Sequence, residues 1–340
     1  MDTNNENPPD RFSAKANRII EDAGRHFARF TRNISGLRRN RRGTSFVASE
    51  LIASLPPYEP ADTFDAMYIV AHPDDSLLFQ SPSLLQNIQK GLRVVTVHLT
   101  AGDAGMAESY WRGREAGIEA AYARMADSPN SWSAASFVVD GHHLVLNILL
   151  TRPNVVLMFL RLPDGGFPNG LGTKTYRYQS LMQLWRGTQR SISAVDGSNS
   201  FDRDDLINTL AKLMNSFQPS LIATQDFGTV LTEGDHADHY ATANFSQEAH
   251  KLYAQPHRLL GHVGYASEHH PANIDGDLLT SKQEIFYTYG SFDELACDSD
   301  LTCSGSSYAA WLRREYVLAS ESVGAETDHG IVQAPFLGET

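Results

Sequence analysis

Cysteine is scarce in this chain of 340 residues: Cys297 and Cys303 are the only two. Two thiols cannot build a disulfide framework or a four-thiolate zinc site. They are expected as two unpaired thiols rather than one local bridge, so any metal must be held by histidine and carboxylate. Long apolar runs are missing as well. Nothing approaches the roughly 18 unbroken apolar residues of a membrane helix, so no transmembrane segment is expected. The start, Met1-Asp2-Thr3-Asn4-Asn5-Glu6-Asn7, lacks the basic residues and apolar core of a signal peptide, and the expected location is the cytoplasm. A basic excess is absent too. The formal net charge of −12 argues against general binding to a nucleic-acid backbone, which rests on clustered Lys and Arg. Ten of the 28 basic residues do gather between Arg11 and Arg42, a stretch read as a solvated helix face and loop.

What is present is ordinary for a globular protein: 41% hydrophobic and 20% charged residues. Residues 1–61 read as an N-terminal extension. Its Ile20, Ala23, Phe27, Phe30 and Ile34 have the spacing of an amphipathic helix. Ser54-Leu55-Pro56-Pro57-Tyr58-Glu59-Pro60 forms a proline-rich connector. The main domain is expected over 62–270, with 271–340 as a C-terminal extension packing on it. In the main domain, strand-like runs at Met67–Val70, Arg93–Leu99 and Ser220–Thr224 alternate with helical segments at Ser81–Gly91, Arg114–Ala126 and Leu206–Phe217. Further strands are expected at Phe137–Val139, Leu144–Leu149 and Val155–Leu160, and a helix near His236. Alternation of this kind predicts βαβ units and an α/β fold with a largely parallel sheet. Asp164–Asp202 shows no clear periodicity and reads as a long loop, functional or disordered.

The chemistry concentrates in two clusters. Ala71-His72-Pro73-Asp74-Asp75-Ser76 follows the first strand directly, where open α/β sheets bind their ligands. His-Pro-Asp-Asp stands where a dinucleotide-binding protein would carry its glycine turn, and carboxylates there would repel a pyrophosphate. His236-Ala237-Asp238-His239 lies far downstream at a probable helix start. Catalytic zinc sites use three protein ligands and keep one position open. His72, Asp75 and His239 could form such a set. Asp74 cannot easily face the same ion as its neighbour, and is better placed as a base that takes a proton from metal-bound water. His236, three residues before His239, would face substrate as oxyanion stabiliser or acid, with Asp238 modulating it. The adjacent pairs His142-His143 and His269-His270 suit one ion poorly and read as structural.

Ala71-His72-Pro73-Asp74-Asp75 followed downstream by His236-Ala237-Asp238-His239 resembles the PIG-L/LmbE family of zinc-dependent N-deacetylases. The resemblance runs over most of 64–265. It takes in Thr100-Ala101-Gly102, Arg114-Glu115 and Leu162-Pro163-Asp164-Gly165-Gly166. It implies a Rossmann-like, mostly parallel sheet flanked by helices, and hydrolysis of an N-acetyl group from an amino sugar. By motif match it implies that His72, Asp75 and His239 bind Zn2+, with Asp74 as general base and His236 as oxyanion stabiliser or acid. Arg114 would be a substrate-side or supporting group. Another divalent metal could take the place of zinc. The family motif usually continues with Glu after the two aspartates, and here that position is Ser76.

Candidate sugar-facing rings are Tyr110 and Trp111 after the glycine turn, with Phe167, Tyr176, Tyr178 and Trp185 in the long loop. Asp164 could bond a substrate hydroxyl or simply close a Pro-Asp-Gly-Gly turn. The expected activity is therefore metal-dependent removal of an N-acetyl or other N-acyl group from an amino sugar or glycoconjugate. The alternatives are an amidase for a larger acyl group and a catalytically silent sugar-binding protein of the same fold.

Overall fold

The computed structural model describes residues 50, 52–60, 62–167, 169–229, 234–324 and 330–337. The amphipathic segment from Ile20 and the basic stretch Arg11–Arg42 lie outside them. Residues Thr44–Thr340 cluster as one compact unit.

Ten strands and their connecting helices are described. They run β1 (Ala66–Val70), α1 (Asp75–Phe79), α2 (Ser83–Gln89), β2 (Val94–Thr100), α3 (Glu108–Met125), β3 (Trp132–Val139), β4 (His142–Leu149) and β5 (Val155–Leu162). After these come α4 (Leu181–Trp185), β6 (Ser191–Ser193), β7 (Ser200–Asp202), α5 (Arg203–Phe217), β8 (Leu221–Gln225), α6 (Ala237–His250) and β9 (His257–His262). The chain ends with α7 (Gly276–Gly290), α8 (Asp300–Cys303), α9 (Ser307–Trp311) and β10 (Val317–Val323).

Eight strands form one mixed sheet in the order β10-β9-β8-β1-β2-β5-β4-β3. Its centre, β9-β8-β1-β2-β5, is parallel, and β10, β4 and β3 add antiparallel edges. Every residue of β1, β2, β5 and β8 is buried, because helices cover both faces. Along β1 the side chains alternate between two cores. Ala66 and Tyr68 join Ile118, Tyr122 and Phe286 on one face, and Met67 and Ile69 join Leu210, Phe217 and Phe245 on the other.

Local chemistry explains the helices that matter. Asp202 and Asp205 cap α5 reciprocally, and its Leu206, Leu210, Leu213, Met214 and Phe217 form one buried stripe. α3 begins at Glu108, six residues ahead of the expected Arg114, so Tyr110 and Trp111 stand on a helix and not in a loop. The long stretch Asp164–Asp202 carries α4 and the small hairpin β6-β7. The proline-rich connector is tied to the edge strand, with Tyr58 N–H donating to the Ser136 carbonyl at 2.9 Å.

The expected free thiols are corrected: Cys297 and Cys303 form a disulfide. The turn after α7 and the short helix α8 bring their Cα atoms to 5.1 Å, within bridging range. Among the described residues, no helix is long and apolar enough to cross a membrane.

Phe217 closes the core beneath β1, packing edge-on against Phe64 at 4.9 Å and near Phe137 at 5.7 Å. Phe217→Ala should cost about 3–5 kcal/mol, read as a lowered urea midpoint with an unchanged slope.

Candidate functional site

Going along the sheet, the chain steps from β1 to β2 and β5 on one side and later returns to β8 on the other. The crevice opens at such a reversal, beyond the carboxyl ends of the strands. The ends of β1, β2, β5, β8 and β9 each send a loop into it.

From β1, His72 and Asp75 turn back on one another. The His72 backbone N–H donates to Asp75 Oδ2 at 2.7 Å, and His72 Nδ1 lies 3.4 Å from the same oxygen. Asp75 Oδ1 meets His239 Nε2 at 3.0 Å. At the end of β8, Gln225 Nε2 donates to Asp75 Oδ2 at 3.0 Å. Asp75 is thus surrounded by donors at an exposure of only 3%. Burial alone would raise its carboxyl, but His239 and His72 hold it well below the usual range. His239 moves the opposite way. Burial would lower it, and Asp75 with Asp235 raises it to about 10.

The donor atoms of His72, Asp75 and His239 lie within 4.8 Å of one another, all on buried residues. Ligands about 2.0–2.2 Å from a tetrahedral ion stand roughly 3.3–3.6 Å apart, and the two pairs made with Asp75, at 3.4 and 3.0 Å, are near that spacing, so this set could hold a divalent metal. Against burial, neighbouring carboxylates raise both imidazoles, and an ion held here would displace the proton from each ligating nitrogen. Asp235 supports the set: its Oδ1 lies 2.8 Å from His239 Nδ1 and also accepts the His236 backbone N–H. Orientation of a ligating imidazole by such a carboxylate is the usual arrangement.

One oxygen of Asp74 is engaged from α3. Arg114 NH2 donates to Asp74 Oδ1 at 2.5 Å, and Arg114 NH1 donates to the Gly102 carbonyl at 2.7 Å. Gly102 is required there. Its φ is +57°, and a Cβ would sit 2.2 Å from Arg114 NH1. Burial raises the Asp74 carboxyl, opposed by Arg114 and reinforced by Asp75 and Asp293.

His236 caps α6, and its Nδ1 accepts the Asp238 backbone N–H at 3.2 Å. Burial, with His72 beside it, lowers this imidazole to about 4, so it is neutral near pH 7. A neutral ring whose Nδ1 accepts must carry its proton on Nε2. That nitrogen lies 3.6 Å from Asp164 Oδ1. Asp238 Oδ2 accepts the Gly165 N–H at 2.7 Å and lies 3.4 Å from His72 Nε2. Asp164 accepts N–H bonds from Gly166 at 2.7 Å and Ala104 at 3.3 Å. His72, Asp164, His236 and Asp238 therefore make a second buried group that shares His72 with the first.

The other expected residues have different surroundings. Trp111 is 1% exposed, with the Arg112 and Arg161 guanidinium groups over its ring. Tyr110 is buried and donates to Asp293 Oδ1 at 2.9 Å. Arg114 is buried with its donors engaged by protein groups. Trp185 packs on Phe245. Among the loop rings, Phe167 stands out: it is 58% exposed and 6.2 Å from the His236 ring. Ser76 is buried and accepts from Tyr122 Oη at 3.0 Å, where Tyr122 also pairs with Thr96. His142 stacks on Phe201 at 4.3 Å, away from these clusters.

Several contributors escaped the motif reading. Asp235 could have been suspected, since it lies four residues before His239. Gln225, Tyr265 and Asp293 carried no signal. The Tyr265 ring packs edge-on against His239 at 4.9 Å and stacks on Trp311 at 4.6 Å, forming an aromatic wall beside the site.

A buried histidine–aspartate centre, whose residues could hold a metal ion, lies at the switch point of the mixed α/β sheet. Residues 67–250 match the GlcNAc-PI de-N-acetylase family, PIG-L, and the chain belongs to that family. No curated protein matches it in sequence. Among solved structures it is similar to N,N'-diacetylchitobiose deacetylase from Pyrococcus horikoshii, at 16% identity, 78% of this chain, 82% of that one and a TM-score of 0.41. A deacetylase of teicoplanin biosynthesis is similar at 15% identity, 73% and 89% coverage and a TM-score of 0.42. The 4-carboxy-2-hydroxymuconate hydratase GalB of Pseudomonas putida is similar at 14% identity, 73% and 83% coverage and a TM-score of 0.39.

If His72, Asp75 and His239 hold a divalent ion, Asp235→Asn should weaken its binding about 10- to 100-fold while circular dichroism stays unchanged. A competition titration against a chromophoric chelator reads the affinity.

Proposed function

We propose that the protein hydrolyses the N-acetyl group of an amino sugar, or of a glycoconjugate carrying one. In this reading His72, Asp75 and His239 hold a divalent ion, Zn2+ by the character of the donors. The observation that carries it is the division of labour in one dipeptide. Asp75 is surrounded by metal-ligating imidazoles, while Asp74, its neighbour, is held separately by Arg114. Membership of the PIG-L family supports the substrate class. The bound ion would supply Lewis-acid polarisation and a lowered pKa for a nearby water.

The protein's own groups do the rest. Asp74 Oδ1 is occupied by Arg114, and among the described residues Oδ2 takes no hydrogen bond, leaving it to receive a proton from the attacking water. Its raised carboxyl makes it a stronger base than an exposed aspartate. His236 presents Nε2–H as a donor to the oxyanion that develops on the amide carbonyl. The cap on α6 keeps that tautomer in place. Asp238 anchors the Gly165 backbone beside it, and Asp164 stands where a sugar hydroxyl could bond. The Tyr265–Trp311 wall and exposed Phe167 offer apolar faces to the substrate. Phe167, with the exposed Leu171, also favours testing acyl groups longer than acetyl.

The Cys297–Cys303 bridge bears on location. Such bonds persist in oxidising compartments, and we infer that setting in place of the expected cytoplasm. Alkylation of unreduced protein after denaturation should leave both cysteines unlabelled; full labelling would restore the cytoplasmic reading.

The deciding experiment is acetate release from a panel of N-acetylated glucosamine derivatives. Asp74→Asn should lower kcat about 10²–10⁴-fold with metal content retained. A wild-type protein that binds these sugars without releasing acetate would instead be the silent binder.

A further inference from the structure

The helix α7 and the turn after it lie beyond residue 250, where the family match ends. They approach α3 closely because α3 carries glycine at the contact. A Cβ on Gly113 would stand 2.8 Å from the Phe292 carbonyl oxygen. This approach delivers Tyr289 and Asp293 to the back of Arg114.

Asp293 is 2% exposed, and donors converge on both of its oxygens. Oδ1 accepts from Tyr110 Oη at 2.9 Å and from the Leu295 N–H at 3.0 Å. Oδ2 accepts from Tyr289 Oη at 2.6 Å and lies 3.0 Å from Arg114 Nε. Arg114 Nε also donates to Tyr289 Oη at 2.6 Å. The guanidinium is a rigid planar fork, so fixing its Nε edge fixes the NH2 that holds Asp74. Among the described residues, the guanidinium's other acceptors are Asp74 and the Gly102 carbonyl, so Asp293 supplies the charged hold on its far edge.

We propose that Asp293 is a positioning residue for the reaction, holding the plane of Arg114 and through it the carboxylate of Asp74. The proposal rests on the reading of Asp74 as the group that takes the proton. Without Asp293, Tyr289 Oη loses its acceptor and the Nε edge is held on one side only. The guanidinium can then swing, and Asp74 Oδ1 moves with it. A displacement of about 1 Å at a reacting group costs on the order of 100-fold in rate.

Asp293→Asn keeps the size of the side chain and removes the charge. In the metal-loaded enzyme kcat should fall about 10- to 100-fold, with KM and metal stoichiometry within about twofold of wild type. Tyr289→Phe should move kcat the same way by a smaller factor, and it decides the question if Asp293→Asn does not fold. Unchanged kcat in a folded variant overturns the proposal. So does a joint loss of kcat, KM, metal content and thermal midpoint, the pattern of a purely structural residue. Asp74→Asn run alongside separates the two ideas. If it stays active, the reading of the site fails. If it is inactive while Asp293→Asn matches wild type, only the role of Asp293 fails.

Discussion

A carboxylate buried as deeply as Asp75 stays ionised only if positive charge and N–H donors surround it. His72 and His239 supply the charge, and Gln225 Nε2 and the His72 backbone N–H supply further donors. These partners come from β1, the end of β8 and the first turn of α6. The pairing of β1 with β8 and the entry angle of α6 must therefore both be correct before the charge is balanced. Removing either imidazole would leave the buried carboxylate under-compensated, a larger cost than loss of an exposed ion pair.

The same economy organises the neighbourhood. Buried and half-buried acids and bases are arranged in alternation: Asp235–His239–Asp75–His72 on one side, and Asp293–Arg114–Asp74 on the other. Adjacent residues 74 and 75 belong to different chains of charge, because the start of α1 points them apart. One carboxyl is held low by two imidazoles and the other is raised by burial. Environments that push the pKa values of two carboxyls apart are a recurring means of giving them different tasks.

Much of this was legible beforehand. Apolar runs bounded by turn residues located β1, β2 and β8, and the two histidine–aspartate clusters stood at the right ends of the right elements. The edge pairings were not visible, since β3 and β4 read only as short strands with no sign of direction. Trp111 and Tyr110 read as loop rings after a glycine turn, either facing a sugar or simply packing. They are buried because α3 starts earlier than its apolar spacing suggests. Cys297 and Cys303 left a local bridge open but less favoured, because a separation of six residues is bridged only when a turn folds it back.

By itself the sequence determined which groups were available and where each local element could begin: His72 to Asp75 after a strand, His236 to His239 opening a helix. Those features depend on short-range sterics, caps and periodicity, which neighbouring residues settle among themselves. Only the tertiary structure decided that Asp235 backs His239, that Gln225 reaches Asp75, and that Asp293 stands behind Arg114. These contacts join residues up to 179 positions apart, as between Asp293 and Arg114 (293 − 114 = 179). Their formation depends on sheet order and on the close approach of α3 and α7, which no local pattern encodes.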